Sequence, residues 1–340
     1  MTSFGAMTWN VENLFRPEPQ AQEVERERYQ QKLGLLADVI GRLDPDVVGL
    51  QEVGGEDELG DLQGALDGGY PHRAASTFPD GRGIRVAFLS KHSVEEREHI
   101  VEFPEGPALD VHDLTADGGS EPIDRMGRGA LRLRVTKDGL TVDLIACHLK
   151  SKLLSFPRPG GKTSFVPRDE GERAQVAGIA LMRRMAEAVT LRIRANGLLG
   201  SDESVPLLVL GDLNDVPEAQ TSLIFTGPPG SEIGTPGFGQ PDRGDDVRLF
   251  NLAPCIPLER RYSRIERGRP ELIDQILASV ELFPTGDDGE RRLPEADSHV
   301  DFRDRLPSVG DRLPSVGDDP GERAADLAPD HAPVTARFEL

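Results

Sequence analysis

The sequence predicts an α/β fold. Short apolar runs of strand length alternate with two long amphipathic helical patterns, and no linker-like break divides the chain in the middle. The composition is globular, with 37% apolar residues and 37 glycines, and a chain of this length buries a substantial core without staples. One domain over residues 1–340 is expected.

Residues 4–11 read as a strand that ends in polar side chains. A helix follows over 22–43, where Leu33, Leu36, Ala37, Ile40 and Leu43 recur on one face. Pro45 ends it, because the residue before a proline is pushed out of the helical region. Residues 47–50 form a short buried strand running into Gln51 and Glu52. Further strands are expected at 84–90, 130–135, 141–148, 207–210, 273–279 and 334–340. A second long helix is expected over about 168–196, with Leu181, Met182, Met185, Ala188 and Val189 as its inner stripe. The odd region, about 284–328, is acidic and proline-rich and repeats DRLPSVG at 304–310 and 311–317. Two copies are too few for a solenoid. Proline and glycine oppose regular structure, so a mobile acidic loop insertion is expected there.

Charge excludes some partners and leaves others open. With 39 basic against 59 acidic residues the chain carries a formal −20, which as a whole repels nucleic acid and anionic membranes. Residues 125–194 invert that balance, with 15 Lys/Arg against 6 Asp/Glu, and Lys150, Lys152 and Lys162 fall within one short stretch. A solvated helix face and an anion-facing wall both fit this pattern, and charge alone does not choose between them. The two cysteines, Cys147 and Cys255, build neither a disulfide framework nor a zinc site, and Cys147 reads as a small buried filler. No apolar run reaches membrane-spanning length. The first residues, MTSFGAMTWN, lack the basic and apolar regions of a secretion signal, so a cytoplasmic location is expected.

The polar residues have a pattern of their own. Several strands end in carboxylates, amides or histidines: Asn10, Glu52, His148, Asp212 with Asn214, and Asp330-His331 ahead of the last strand. Strand ends are where α/β folds gather their chemistry. Asn10, Glu52, Asp212, Asn214 and Asp330 are oxygen donors, which suit a hard cation such as Mg²⁺. The histidines are too far apart in sequence for a zinc motif. Asp212 and Asn214 alternate, so both point to one face. Asp274 sits in the apolar run ELIDQILAS and is costly to bury unless it is paired.

Six motifs occur in order: Thr8-Trp9-Asn10-Val11, Gln51-Glu52-Val53, His148-Leu149-Lys150-Ser151, Gly211-Asp212-Leu213-Asn214, Ile273-Asp274-Gln275-Ile276-Leu277 and Asp330-His331-Ala332-Pro333-Val334. This order resembles the endonuclease/exonuclease/phosphatase superfamily, the DNase-I-like phosphoesterases, and WNVENLF and HLKSK look most like its bacterial nuclease-like members. The resemblance implies a four-layer sandwich, two mixed β-sheets packed face to face with helices outside. It implies a Mg²⁺-dependent phosphodiester hydrolase, with Mn²⁺ as a substitute ion. Asn10, Glu52 and Asp330 fall on the metal side by this likeness. His148, Asp212, Asn214 and an Asp274–His331 pair fall on the catalytic side, and Arg128, Lys150 and Lys152 on the substrate phosphate. Nucleic acid is the leading substrate, and small-molecule, lipid or inositol phosphoesters are the alternative. A binding protein that keeps the fold without catalysis is disfavoured, because the whole residue set is present. No protein partner is evident, and a monomer is expected.

Overall fold

The computed structural model describes residues 2–105, 109–117, 119–240, 247–287, 289–300 and 327–340. The tandem repeat at 304–317 lies outside the described residues. Twelve strands carry the architecture: β1 (Ser3–Leu14), β2 (Val47–Val53), β3 (His72–Ala75), β4 (Arg85–Ser90), β5 (Val94–Glu102), β6 (Arg125–Lys137), β7 (Leu140–His148), β8 (Leu207–Asp212), β9 (Leu249–Asn251), β10 (Asp274–Ser279), β11 (Glu295–Ser298) and β12 (Val334–Glu339). Three helices pack on them: α1 (Glu23–Leu43), α2 (Glu56–Ala65) and α3 (Glu170–Leu199).

The strands form two six-stranded sheets, in the orders β11-β12-β1-β2-β4-β3 and β9-β10-β8-β7-β6-β5. Each sheet is mixed: β1–β2 and β7–β8 run parallel and the other neighbours antiparallel. Strand periodicity explains the layering, because successive side chains alternate between faces. Phe4 and Ala6 of β1 meet Leu144 and Ala146 of β7 and Leu208 and Leu210 of β8 in one core between the sheets. The alternate residues Met7, Trp9 and Val11 face outward onto Leu33, Leu36 and Ile40 of α1. On the far side Ile145, Cys147 and Val209 receive Ala188, Leu191 and Ala195 of α3. Helix, sheet, sheet and helix give the four layers of a DNase-I-like fold. The sheets approach closely at Gly49, where a Cβ would stand 2.1 Å from Leu210 Cδ1.

The expected strands and both long helices are found within a few residues of their expected ends. Helix α1 stops at Asp44, whose left-handed backbone still donates its N–H to the Ile40 carbonyl before Pro45. Three points depart from what the sequence leads one to expect. Strand β11 lies inside the region read as a loop, pairing with β12 at a sheet edge. Four residues of alternating burial, EADS, are too few to stand out from the polar residues around them. Edge strand β5 and helix α2 have charge-rich sequences that conceal their pairing and packing.

The third point concerns α3. Leu181, Met182 and Met185 are exposed, and the buried face contains Val176, Ala180, Arg184, Glu187, Ala188, Leu191 and Ala195. The first half of this face meets strand ends, whose N–H and C=O groups need charged partners. Apolar periodicity therefore placed only Ala188 correctly on the inner stripe, with Val189 half-buried beside it.

Candidate active site

The apolar faces between the sheets give way to polar residues at one end. Along β1 the inward side chains run Phe4, Ala6, Thr8, Asn10; along β7 they run Leu144, Ala146, His148; along β8 they run Leu208, Leu210, Asp212. Strand β10 enters from the opposite direction, so its first inward residue is Asp274. Register completes the arrangement. Asp212 is the cross-strand partner of His148 on one side and of Asp274 on the other, which stands three functional side chains in one row. Gly211 permits the close approach: its φ is +154°, and a Cβ there would lie 1.9 Å from the Cys147 carbonyl oxygen.

The opposite sheet closes over this row. Asn10 Nδ2 donates to Asp212 Oδ2 at 3.0 Å. His148 Nε2 stands 3.3 Å from the same oxygen, and the Asn214 backbone N–H donates to Asp212 Oδ1 at 2.8 Å. His331, just before β12, places Nδ1 2.6 Å from Asp274 Oδ2 and Nε2 4.0 Å from Asp212 Oδ2. Trp9 Nε1 holds the His331 carbonyl at 2.8 Å. Buried Ser263 accepts the Asp274 N–H on its hydroxyl at 3.0 Å and the Ala332 N–H on its carbonyl at 2.7 Å.

Electrostatics follow from this crowding. Burial and then the Asp274 charge push the Asp212 carboxyl above the usual carboxylate range. Burial opposes charge on His331, but Asp274, Asp330 and the hydrogen bond to Asp274 outweigh it and hold the ring above its ordinary value. His148 is pushed well below its ordinary value by burial, then by Arg128 and His331. Among the described residues His148 Nδ1 has no hydrogen-bond partner.

Glu52 reaches the site by a different route. The β1–β2 register shifts between Asn10 and Leu14, and Glu12, Asn13 and Glu52 all adopt left-handed backbone with φ of 47°, 53° and 64°. Left-handed residues other than glycine are strained and cluster at functional sites. The Asn13 N–H donates to Glu52 Oε2 at 3.1 Å, and Arg82 lies 3.7 Å from Oε1. Asp80 pairs with Arg82 at 3.5 Å and with Arg128 at 3.1 Å. Arg128 and Asn214 then both donate to the Leu149 carbonyl, at 3.3 and 3.0 Å. Asp330 pairs with Arg264 at 3.3 Å, and its N–H donates to Glu12 Oε2 at 3.1 Å.

Contacts thus join every expected catalytic residue. Asp330 lies 3.8 Å from His331, while Glu52 is tied to the rim of the site. Lys150 and Lys152 flank this site with protein partners of their own. Lys150 Nζ donates to the Ser151 and Leu153 carbonyls, and burial, then Arg183 and Arg128, bring it down to about 8. Lys152 pairs with Asp215 at 3.2 Å and Glu271 at 3.5 Å. Other cations of the basic stretch are engaged too: Arg132 and Arg134 on Asp143, Lys137 on Asp46, Arg158 on Glu172 and Arg184 on Asp215. Most of the cations named in the stretch are thus paired with acids, while Arg168 and Arg173 remain about half exposed. Sequence reasoning missed Asp80, Arg82, Ser263, Arg184 and Glu187; only Glu187, a lone acid in an apolar helical run, carried the same signal as Asp274.

The donors fit a hard divalent cation. Glu52, Asp212, Asp274 and Asp330 offer carboxylate oxygens, and Asp274 Oδ1 is buried without a hydrogen-bond partner among the described residues. Ligand atoms of Asp212, Asp274 and His331 lie within 4.8 Å of one another, a candidate acidic metal site.

Four layers with a carboxylate–histidine row at one end define a phosphoester hydrolase of the DNase-I-like class. The sequence profile of the Endonuclease/Exonuclease/phosphatase family matches residues 7–302, and the chain belongs to that family of metal-dependent phosphoesterases. Solved structures agree on the fold. Truncated TDP2 from Caenorhabditis elegans is 15% identical with a TM-score of 0.56, covering 99% of this chain and 98% of that one. The human Nocturnin catalytic domain with bound sulfate anion is 15% identical with a TM-score of 0.54, covering 99% and 94%. An endonuclease/exonuclease/phosphatase family protein from Bacteroides thetaiotaomicron is 16% identical with a TM-score of 0.53, covering 100% and 99%. No curated protein sequence matches the chain. Among the described residues no helix is long and apolar enough to cross a membrane.

Proposed function

We propose that this chain is a Mg²⁺-dependent phosphodiester hydrolase, one domain along its length, that cleaves a nucleic-acid strand by in-line attack of water. The row His148–Asp212–Asp274, closed by His331, carries the reading. Asp212 orients the attacking water and takes its proton, since Asn10 and the Asn214 backbone fix its carboxylate in place. His148 and Asn214 contact the phosphate. Asp274 fixes the tautomer and orientation of His331, which faces the same carboxylate and supports the charge that develops at phosphorus. Asn10, Glu52 and Asp330 would hold the cation, and Mn²⁺ would substitute. When bound, the ion withdraws charge from a phosphoryl oxygen.

The family description names two nuclease classes beside phosphatases, and Lys150 and Lys152 lie two and four residues after His148. Both favour a nucleic-acid strand, with Arg128, Lys150 and Lys152 on its phosphates. One observation favours small phosphoesters instead: the basic stretch spends most of its named cations on internal acids. The test incubates the protein with supercoiled plasmid, RNA and bis(p-nitrophenyl) phosphate, each with Mg²⁺ and with chelator. Cleavage of a nucleic acid that chelator abolishes is the expected result. Cleavage of the small diester alone would transfer the assignment to the second reading, and full activity in chelator would end the metal assignment.

A further inference from the structure

Strands β6 and β7 are paired from Lys137↔Leu140 to Leu131↔Ala146 and then part. Carrying the same register onward would set Gly127 opposite Lys150, two residues past the candidate catalytic His148. These two do not bond to each other. The Gly127 N–H donates to Glu187 Oε1 at 2.9 Å, and the Lys150 N–H donates to Glu187 Oε2 at 2.6 Å. Arg184, one helical turn earlier on α3, donates to the Lys150 carbonyl at 2.9 Å and to Asp215 at 3.2 Å. Both side chains are buried, Glu187 to 1% exposure and Arg184 to 5%. A Cβ at Gly127 would stand 3.1 Å from the Arg183 guanidinium and in ordinary contact, 3.4 Å, with Glu187 Oε1.

We infer that Glu187 is a positioning residue. Its carboxylate enters the end of the β6–β7 ladder, takes one N–H from each strand, and sets the gap between Arg128 on one strand and His148–Lys150 on the other. Burying a carboxylate is costly unless it is hydrogen-bonded, and two backbone donors aimed at its two oxygens supply those bonds. An apolar residue would fill the same volume, but it would leave both N–H groups without acceptors. Arg128 and Lys150 therefore stand where α3 puts them, and the ladder alone does not decide it. Their role as phosphate contacts rests on the reading above.

The variant Glu187→Gln tests this at nearly constant volume. Its single carbonyl oxygen accepts one N–H, and its NH₂ faces the other. In the folded full-length protein, amide hydrogen exchange at Gly127 or Lys150 should quicken about tenfold or more, while amides in the middle of β7 keep their protection. On bis(p-nitrophenyl) phosphate, kcat/KM should fall about tenfold. In an Arg128→Ala background the same substitution should cost less than threefold, because the group it positions is gone. Unchanged exchange at both amides would overturn the inference, and so would losses that multiply independently. If Glu187→Gln lowers stability, exchange and kcat/KM are read at a temperature where the variant is fully folded; unchanged values there would also overturn the inference. Quickened exchange in a protein with no phosphoesterase activity would keep Glu187 as the strand wedge and overturn the functional reading alone.

Discussion

Asp212 is where the two sheets meet chemically. Asn10 and His331 approach it from one sheet, His148 and Asp274 from the other. Glu52 offers a further carboxylate at the rim of the site from a strained backbone position. If it holds the cation, Glu52→Gln should reduce kcat about a hundredfold or more with an unchanged melting curve; full activity in that variant would sink the assignment. Asp274 and His331 are bonded at 2.6 Å with both side chains buried, so they should act as one unit. Asp274→Asn and His331→Ala should each be severe, and the double variant little worse than the worse single. Losses that simply add in free energy would reduce Asp274 to a buried structural acid.

At the scale of elements, polar clusters hold the strands in register at both ends of the sandwich. Away from the active site, Asp46 ties three elements together. It accepts the Gly5 N–H of β1 at 2.7 Å, Lys137 of β6 at 2.9 Å, and meets His92 at 2.8 Å. Burial alone would raise its carboxyl, but His92, Gly5 and Lys137 together lower it below its ordinary 3.8. The folded-state pKa thus lies below the unfolded one, so the stabilisation is complete above about pH 4 and is lost as pH falls through the folded value. Asp46→Asn should cost about 2 kcal/mol at pH 7. Urea midpoints measured down a pH series should show this gap closing below pH ~4; a gap that persists at low pH would mean that packing, and not the charge, is lost.

Across the whole molecule, the −20 charge and the engaged cations set how a polyanion is met. Each phosphate contact releases a counterion and costs about 0.7–0.9 log units of affinity per decade of salt. For a nucleic-acid strand contacting at least two phosphates beyond the scissile one, log kcat/KM should fall by about 1.5 per decade of salt at fixed Mg²⁺. The slope on a small diester should be shallow. Lys152→Gln with Lys162→Gln should flatten the oligonucleotide slope and spare the small diester. A flat slope on both substrates would favour the small phosphoester.

Several features are local enough for the sequence to determine alone. Strand and helix periods, the Asp44-Pro45 stop of α1, the order of six short motifs, and polar residues ending apolar strands all depend on neighbours close in the chain. That sufficed for the fold and for singling out His148, Asp212, Asn214, Asp274 and His331, which the structure brings together. Register across β7, β8 and β10, which puts three of them in one row, is a pairing of distant segments that no local pattern encodes. The rotation of α3 was likewise hidden. Its inward Arg184 and Glu187 answer backbone groups on β6 and beyond β7, and a hydrophobicity pattern places charged residues outward unless it knows which distant partner awaits them. Charge counting left the basic stretch open for the same reason: the acids that pair with it, among them Asp46, Glu98, Asp215 and Glu271, lie far away in sequence and come close only after folding.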